Sequence, residues 1–396
     1  MDMMFNIAKV LADIEADSDQ NIDLLVDLLK IKSISTIPDY ADECYQAAGW
    51  LKAFLDSFGM DAIIYESEGH PIVFSDYQTS RPEAKTILFY GHYDVQPVDP
   101  VSLWDSDPFD PVLSSIDNEP CIIARGASDD KGQLLTFLIA LKYIKNEVGE
   151  LPFSLKIILE GEEECGSKTL PIFLEDYKDK LSADIAYVCD TGMWDKDTPA
   201  ITRSLRGLLS EEFKIIGPDR DLHSGEFGGV AWNPIRIITK ILSDVYDDEG
   251  KVTIPNFYDG VNEVNENIIN SWKKLTFNET EYLNKIGQKS SSGETGRSIF
   301  EKTWSRPTFE INGIFGGYTD EGTKTVIPSE ANAKLTCRLV GNQDPEKILE
   351  NIHKYIKSSL PDGVQVIFGG ADHCRAIEFD TDSYYFQSAS DAIEEE

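Results

Sequence analysis

Four clusters of histidine or carboxylate stand at or just beyond the ends of short apolar runs. Residues 86–90 run through Gly91 into His92-Tyr93-Asp94. An H-x-D on extended backbone points both side chains to one face. Such a histidine can bind a metal while the aspartate takes or orients its second ring proton. Residues 125–132, RGASDDKG, follow an apolar run and open a helix. Asp129 there can bridge two cations; the alternative for D-D-K-G is a turn and helix cap. Residues 155–160 lead into the acidic stretch Gly161-Glu-Glu-Glu-Cys-Gly-Ser167. Three consecutive carboxylates repel one another unless a cation or proton intervenes; a solvated acidic loop is the alternative. Residues 186–190 end a run on Asp190. Singly, each signal is weak. One histidine and three carboxylates on strand ends of one sheet make the pattern of a two-metal hydrolytic site. No G-x-S-x-G elbow, P-loop or zinc-finger spacing competes with it.

The elements that must position these groups are readable from periodicity. Ile22, Leu25, Val26 and Leu29 form a helical stripe, and residues 40–58 make a second helix stopped by Gly59. Short apolar runs follow at 62–65, 72–74, 86–90, 121–124, 153–159 and 185–188, with a buried helix over 131–148. Near-continuous apolar strands between helices predict an α/β sheet covered on both faces. The rim at the strand ends is where such sheets build sites. From about residue 205 the order is strand 208–216, helix 233–246, a polar loop at 290–296, strands 308–311 and 331–340, helix 345–360, strand 364–368. That is the order of a ferredoxin-like α+β unit. The expected layout is a catalytic domain beginning in 1–204, an inserted domain over 205–378, and an incomplete return to the first domain over 379–396.

Composition narrows the function classes. At 396 residues the chain has room for two or three domains. It is 41% hydrophobic and 27% charged, as globular proteins are. Lysine plus arginine is 36 against 70 acidic residues, a net charge of −34. That field repels nucleic acid and anionic membrane surfaces. Six cysteines form no C-x-x-C pair, which suits a reduced, cytoplasmic protein. The N-terminus lacks a basic region followed by an apolar stretch, so no signal peptide is read, and no run of 18 apolar residues spans a membrane.

The segments GHYDVQPVDP (91–100), Trp104 with Asp107-Pro-Phe, ARGASDDKG (124–132), EGEEECGS (160–167) and VCDTG (188–192) closely resemble the dinuclear zinc exopeptidases. That family includes carnosinase-like dipeptidases, carboxypeptidase G-type enzymes and aminoacylases. The likeness runs in order over residues 21–377, and H-Y-D-V-Q-P is most similar to the dipeptidase branch. The resemblance implies a zinc-exopeptidase domain with an inserted dimerisation or lid domain, and two zinc ions per subunit, manganese being an alternative. His92 and Asp190 would hold one ion, Asp129 would bridge, and Glu164 would hold the second. Three ligand carboxylates and a bridging hydroxide would balance two dications, and a neutral core is cheaper to bury. Glu163 would be the general base and Asp94 would buttress His92. A cis peptide between Asp129 and Asp130 is also implied.

In the inserted domain, His223 resembles a histidine that reaches across a homodimer to polarise the scissile carbonyl. Arg338 resembles the anchor of the substrate carboxylate, the alternative being an arginine in an ion pair. Thr325 resembles a residue contributed by the partner subunit. His70, His353 and His373 match no family site and read as structural or exposed; Cys165 and Cys189 read as packing groups. The implied activity is hydrolysis of dipeptides or short peptides. The alternatives are an N-acyl-amino-acid deacylase or carboxypeptidase, or a catalytically impaired binding and dimerisation module. The resemblance fails at the end of the chain. Family members return to the catalytic sheet and supply a final metal histidine, whereas the last histidine here is His373. A truncated, weakly active chain with exposed apolar sheet surface is therefore expected.

Overall fold

The structure, a computed structural model, describes residues 6–116 and 118–394. Residues 1–5, 117 and 395–396 lie outside the described residues, and with them the start of the expected leaderless N-terminus and the end of the expected return segment. The chain divides between Ala200 and Ile201 into two compact units. No described helix is long and apolar enough to cross a membrane.

The first unit opens with helices α1 (Ile7–Ala16), α2 (Ser18–Leu29) and α3 (Ala41–Ser57). On α3 the buried residues Cys44, Ala47, Ala48, Leu51, Phe54 and Leu55 recur at three- and four-residue spacing. The chain leaves that helix through Gly59 at φ +77°, a left-handed conformation that favours a residue without Cβ. Strands β1 (Ile63–Tyr65), β2 (Ile72–Tyr77) and β3 (Thr86–His92) follow. Next come β4 (Val112–Ile116), β5 (Glu119–Ile123) and helix α4 (Lys131–Val148). The unit continues with β6 (Ser154–Glu160), helices α5 (Leu170–Asp176) and α6 (Lys178–Leu181), and β7 (Ile185–Val188).

Five of these strands form one mixed sheet in the order β1-β2-β6-β3-β7. All of β6 is buried, as a central strand between two covered faces requires. Its alternate residues point to opposite layers. Leu155, Ile157 and Leu159 join the core under α3 and α4, while Ile158 packs with Ile72, Phe74 and Phe173 on the α5 side. β3 runs parallel to both β6 and β7, so the three C-terminal ends share one rim. At the edge of the sheet, Tyr187 and Val188 of β7 are exposed.

One expectation is corrected here. The run 121–124 does not belong to this sheet. β5 pairs with β4 in a separate antiparallel hairpin whose residues Val112, Leu113 and Ile116 are exposed. Asp129 therefore enters the site from the loop that opens α4, not from a strand end of the sheet. A short apolar run looks the same in sequence in either setting.

The second unit contains β8 (Ser204–Leu205), β9 (Gly207–Ile216), β10 (Leu222–His223), the turn α7 (Ser224–Phe227) and helix α8 (Pro234–Ser243). Two mostly exposed helices, α9 (Glu266–Trp272) and α10 (Glu279–Lys285), occupy the mixed stretch for which no helix was predicted. Then come β11 (Thr308–Gly316), β12 (Val326–Ile327), β13 (Glu330–Leu339) and helix α11 (Pro345–Ser358). β14 (Gln365–Phe368), β15 (Asp372–Cys374), β16 (Ile377–Glu378) and α12 (Tyr384–Glu394) follow. The sheet order β11-β13-β9-β14, antiparallel throughout, is the ferredoxin-like arrangement. Burial alternates residue by residue along β9. Its inward Leu209, Phe213 and Ile215 pack with Ile238 and Ile241 of α8 and Ile348 and Ile352 of α11.

Candidate metal centre

His92 is the last residue of β3 and is fully buried. Its Nδ1 lies 3.3 Å from Oδ1 of Asp94 and 3.2 Å from the Asp94 carbonyl oxygen. Both are acceptors, so Nδ1 carries a proton and Nε2 is the nitrogen left for a metal to take. Nε2 lies 3.1 Å from Asp129 Oδ1 and 3.8 Å from Asp190 Oδ2. One ligand atom from each of His92, Asp129 and Asp190 lies within 4.8 Å of the others. Strand end β3, the loop before α4 and the residue pair following β7 thus converge. The Asp129–Asp130 peptide is cis, as the resemblance implied.

Asp94, also fully buried, works in two directions. Besides facing His92, its carboxylate accepts the backbone N–H groups of Glu163 at 3.2 Å and Glu164 at 3.1 Å. It thereby ties β3 to the acidic turn after β6. Glu164 stands outside the three-residue cluster. Its Oε2 accepts a hydrogen bond of 2.7 Å from Gln96 Nε2. Among the described residues no hydrogen bond ties up the Glu163 carboxylate.

The electrostatics describe a site rich in anions. Burial opposes a charge on His92, but the Asp94 hydrogen bond and the surrounding carboxylates outweigh it and push the ring up to about 10. The carboxyls of Glu163, Glu164 and Asp190 are all pushed up, first by burial and then by neighbouring carboxylates, with His92 opposing. An imidazole nitrogen and two carboxylate oxygens, crowded and short of positive charge, are a fitting donor set for zinc or manganese.

Two participants carried no role in the sequence reading. Gln96 lay within the quoted motif and holds Glu164. Asp130 is buried and accepts the His92 backbone N–H at 3.1 Å. Burial pushes its carboxyl up to about 7, the His92 N–H opposing. Asp130 stands at the N-cap of α4, yet its side chain makes no cap hydrogen bond.

In the second unit, the ribbon of β10 and β12 pairs His223 with Val326. His223 Nδ1 accepts the Gly225 N–H at 3.0 Å, and Nε2 lies 3.3 Å from Thr325 Oγ1. Arg338 is exposed on β13 and has no carboxylate partner among the described residues. Its neighbour Arg206 is half-buried, its guanidinium pushed down by burial and by Arg338. His353 contacts buried Glu211 at 2.5 Å and stacks on Phe368 at 3.6 Å. His373 is exposed on β15. Burial pushes the Cys165 thiol up and that of Cys189 up to about 11, as suits packing groups rather than thiolate ligands.

Residues 203–364 match the peptidase dimerisation domain of the M20 family. The whole fold matches an M20 family metallo-carboxypeptidase from Sulfolobus solfataricus over 95% of this chain and 83% of that one, with 33% identity and a TM-score of 0.80. The chain belongs to the M20 metallopeptidase family. Among curated relatives, human Beta-Ala-His dipeptidase is 32% identical over 289 residues, 72% of this chain and 56% of that protein. The Cys-Gly metallodipeptidase of Saccharomyces cerevisiae is 32% identical over 287 residues, 72% of this chain and 59% of that one. The chain thus matches less than two thirds of the length of these curated relatives.

Proposed function

We propose that this chain is a metal-dependent hydrolase of dipeptides or short peptides with a free α-amino group. Residues 1–204 are read as the first part of its catalytic domain and 205–378 as the inserted lid and dimerisation domain. The observation that carries the reading is the convergence of His92 Nε2, Asp129 and Asp190, with Asp94 fixing both the histidine tautomer and the turn of Glu163 and Glu164. His92, Asp129, Asp190 and Glu164 are the residues that hold metal, read as two zinc ions or manganese. When bound, such a metal supplies Lewis acidity and makes water acidic enough to deprotonate near neutral pH. Glu163 accepts that proton and delivers it to the leaving amine; burial, by raising its carboxyl, suits it to both tasks.

His223 accepts from Gly225 through Nδ1, so its neutral ring carries the proton on Nε2. That N–H is the donor read as stabilising the developing oxyanion, with Thr325 beside it. Arg338, free of acidic partners among the described residues, receives the substrate carboxylate. The family match to a dimerisation domain supports a homodimer. All six cysteines are free, which supports a reducing, cytoplasmic setting. The net charge of −34 argues against nucleic acid or an anionic membrane as partner.

The Sulfolobus relative favours one second reading, carboxypeptidase or deacylase action on N-blocked amino acids. Assay of the zinc- or manganese-loaded protein on free dipeptides and N-acyl amino acids separates the two. Cleavage of free dipeptides is expected. Cleavage of the blocked substrates alone establishes the second reading. Metal binding with no turnover on either class overturns both and leaves a binding or dimerisation module.

A further inference from the structure

Of the three consecutive carboxylates, Glu162 goes elsewhere. It is 6% exposed, and no cation pairs with it among the described residues. Neutral donors hold its two oxygens instead. Oε1 accepts the backbone N–H of His70 at 3.3 Å. Oε2 accepts the backbone N–H of Thr169 at 3.0 Å and also the Thr169 hydroxyl. The pocket is shaped for this carboxylate: a Cβ on Gly69 would stand 1.7 Å from Oε1. The backbone of Glu162 closes the acidic turn as well, its carbonyl accepting the N–H groups of Cys165 at 3.1 Å and Ser167 at 2.7 Å.

These bonds belong to a larger circuit. The ring of His70 meets the Ser35 carbonyl at 3.0 Å. Two residues earlier, Ser33 holds the strand end that carries Asp94. Its hydroxyl donates to the Tyr93 carbonyl at 2.7 Å, and its own carbonyl accepts the Val95 N–H at 2.9 Å. Asp94 then accepts the N–H groups of Glu163 and Glu164. The turn bearing both site carboxylates is therefore gripped from two sides, by Asp94 on one and by Glu162 on the other.

We infer that Glu162 is a positioning residue: bolted to the 67–71 loop and to the start of α5, its side chain fixes where Glu163 and Glu164 stand, and Gly69 is glycine to admit it. The consequence for catalysis rests on the reading of Glu163 as base and Glu164 as ligand; the grip on the turn does not. A carboxylate suits the role because all its contacts are donors, whereas a glutamine amide would turn its own N–H groups toward one of them.

A double-mutant cycle on the full chain tests this, with Gly69→Ala, Glu162→Ala and the pair. Three quantities are read: zinc affinity by competition with a chromogenic chelator, melting temperature of the metal-free protein, and kcat and KM on a dipeptide. Gly69→Ala drives a methyl into the carboxylate; Glu162→Ala removes it. Each single change is expected to weaken zinc binding by about 10–100-fold, the usual cost of losing an outer partner of a ligand. kcat should fall with KM nearly unchanged. In the pair the methyl enters vacated space, so the double variant should be no worse than Glu162→Ala alone, a strongly non-additive result. Thr169→Val, which removes one side-chain donor and keeps the backbone, should shift zinc affinity the same way by less, and it remains informative if Glu162→Ala does not fold. Multiplying effects, or wild-type zinc affinity in Glu162→Ala or Thr169→Val, overturns the inference. Absence of dipeptide turnover in the wild type counts against the proposed function, while the zinc cycle still decides the grip.

Discussion

His223 and Thr325 stand on the same chain, Nε2 to Oγ1 at 3.3 Å, His223 ending β10 and Thr325 immediately preceding its partner strand β12. Whatever active site receives one of them receives both. If they act across a dimer, a subunit lends them as a unit. Mixing Glu163→Gln with His223→Ala, or with Thr325→Ala, under subunit exchange should then restore one working site per mixed dimer. Mixing His223→Ala with Thr325→Ala should restore nothing beyond the single variants, because each donor ribbon is already broken. Recovery in that last mixture shows that the two residues serve different sites. No recovery in the first two, with exchange demonstrated, shows that neither acts across the dimer.

Glu163→Gln keeps the shape of the side chain and removes its ability to take a proton. General-base action is typically worth about 10²–10⁴-fold in rate, and turnover should fall by that factor or more. Zinc content should stay at the wild-type level, since the turn is held through the backbone N–H of residue 163, which the substitution preserves. Near-normal turnover assigns the base elsewhere, and loss of metal makes residue 163 a ligand.

Much of this was legible in the sequence. The 131–148 helix has the bounds expected of it, and the β-α-β-β-α-β order of the second unit is reproduced in its sheet. Those elements carry long apolar stripes, which periodicity reports well. α1 was missed because it buries Val10 alone, and α9 buries none of its residues. At the site, H-x-D was legible because its geometry is local to one strand end. Asp130 had no role of its own in the D-D-K-G turn, since a carboxylate preceding a helix looks the same whichever N–H it accepts. The turning of Glu164 toward Gln96 and of Glu162 toward His70 depends on segments remote in sequence, which no spacing rule reports.

Gln96 offers a measurement specific to Glu164. Its Nε2 donates both to the Glu164 carboxylate at 2.7 Å and to the Glu164 carbonyl at 3.1 Å. Gln96→Ala should release the carboxylate while leaving His92, Asp129 and Asp190 in place. In a zinc titration the tighter binding event should be unchanged and the weaker one should lose about 10–100-fold in affinity. A loss of the tighter event instead places Glu164 with the first metal.

Metal binding should also be visible as stability. Crowding of carboxylates around His92 penalises the metal-free fold, in keeping with the upward direction of their carboxyls, and a dication in their midst would remove that penalty. A ligand that binds only the folded state stabilises it by about 2.7 kcal/mol at a free concentration 100 times its Kd. Chelator-treated protein should therefore melt below the zinc-loaded protein, and added zinc should restore the higher melting temperature. His92→Ala removes the one imidazole of the cluster and should abolish most of the shift. Asp94→Asn should reduce it in part. Asparagine cannot serve as acceptor with both side-chain atoms, so it loses either the Glu164 N–H or the His92 and Glu163 contacts together. A zinc-induced shift of full size in His92→Ala places the metal elsewhere on the chain and removes the basis of the assignment.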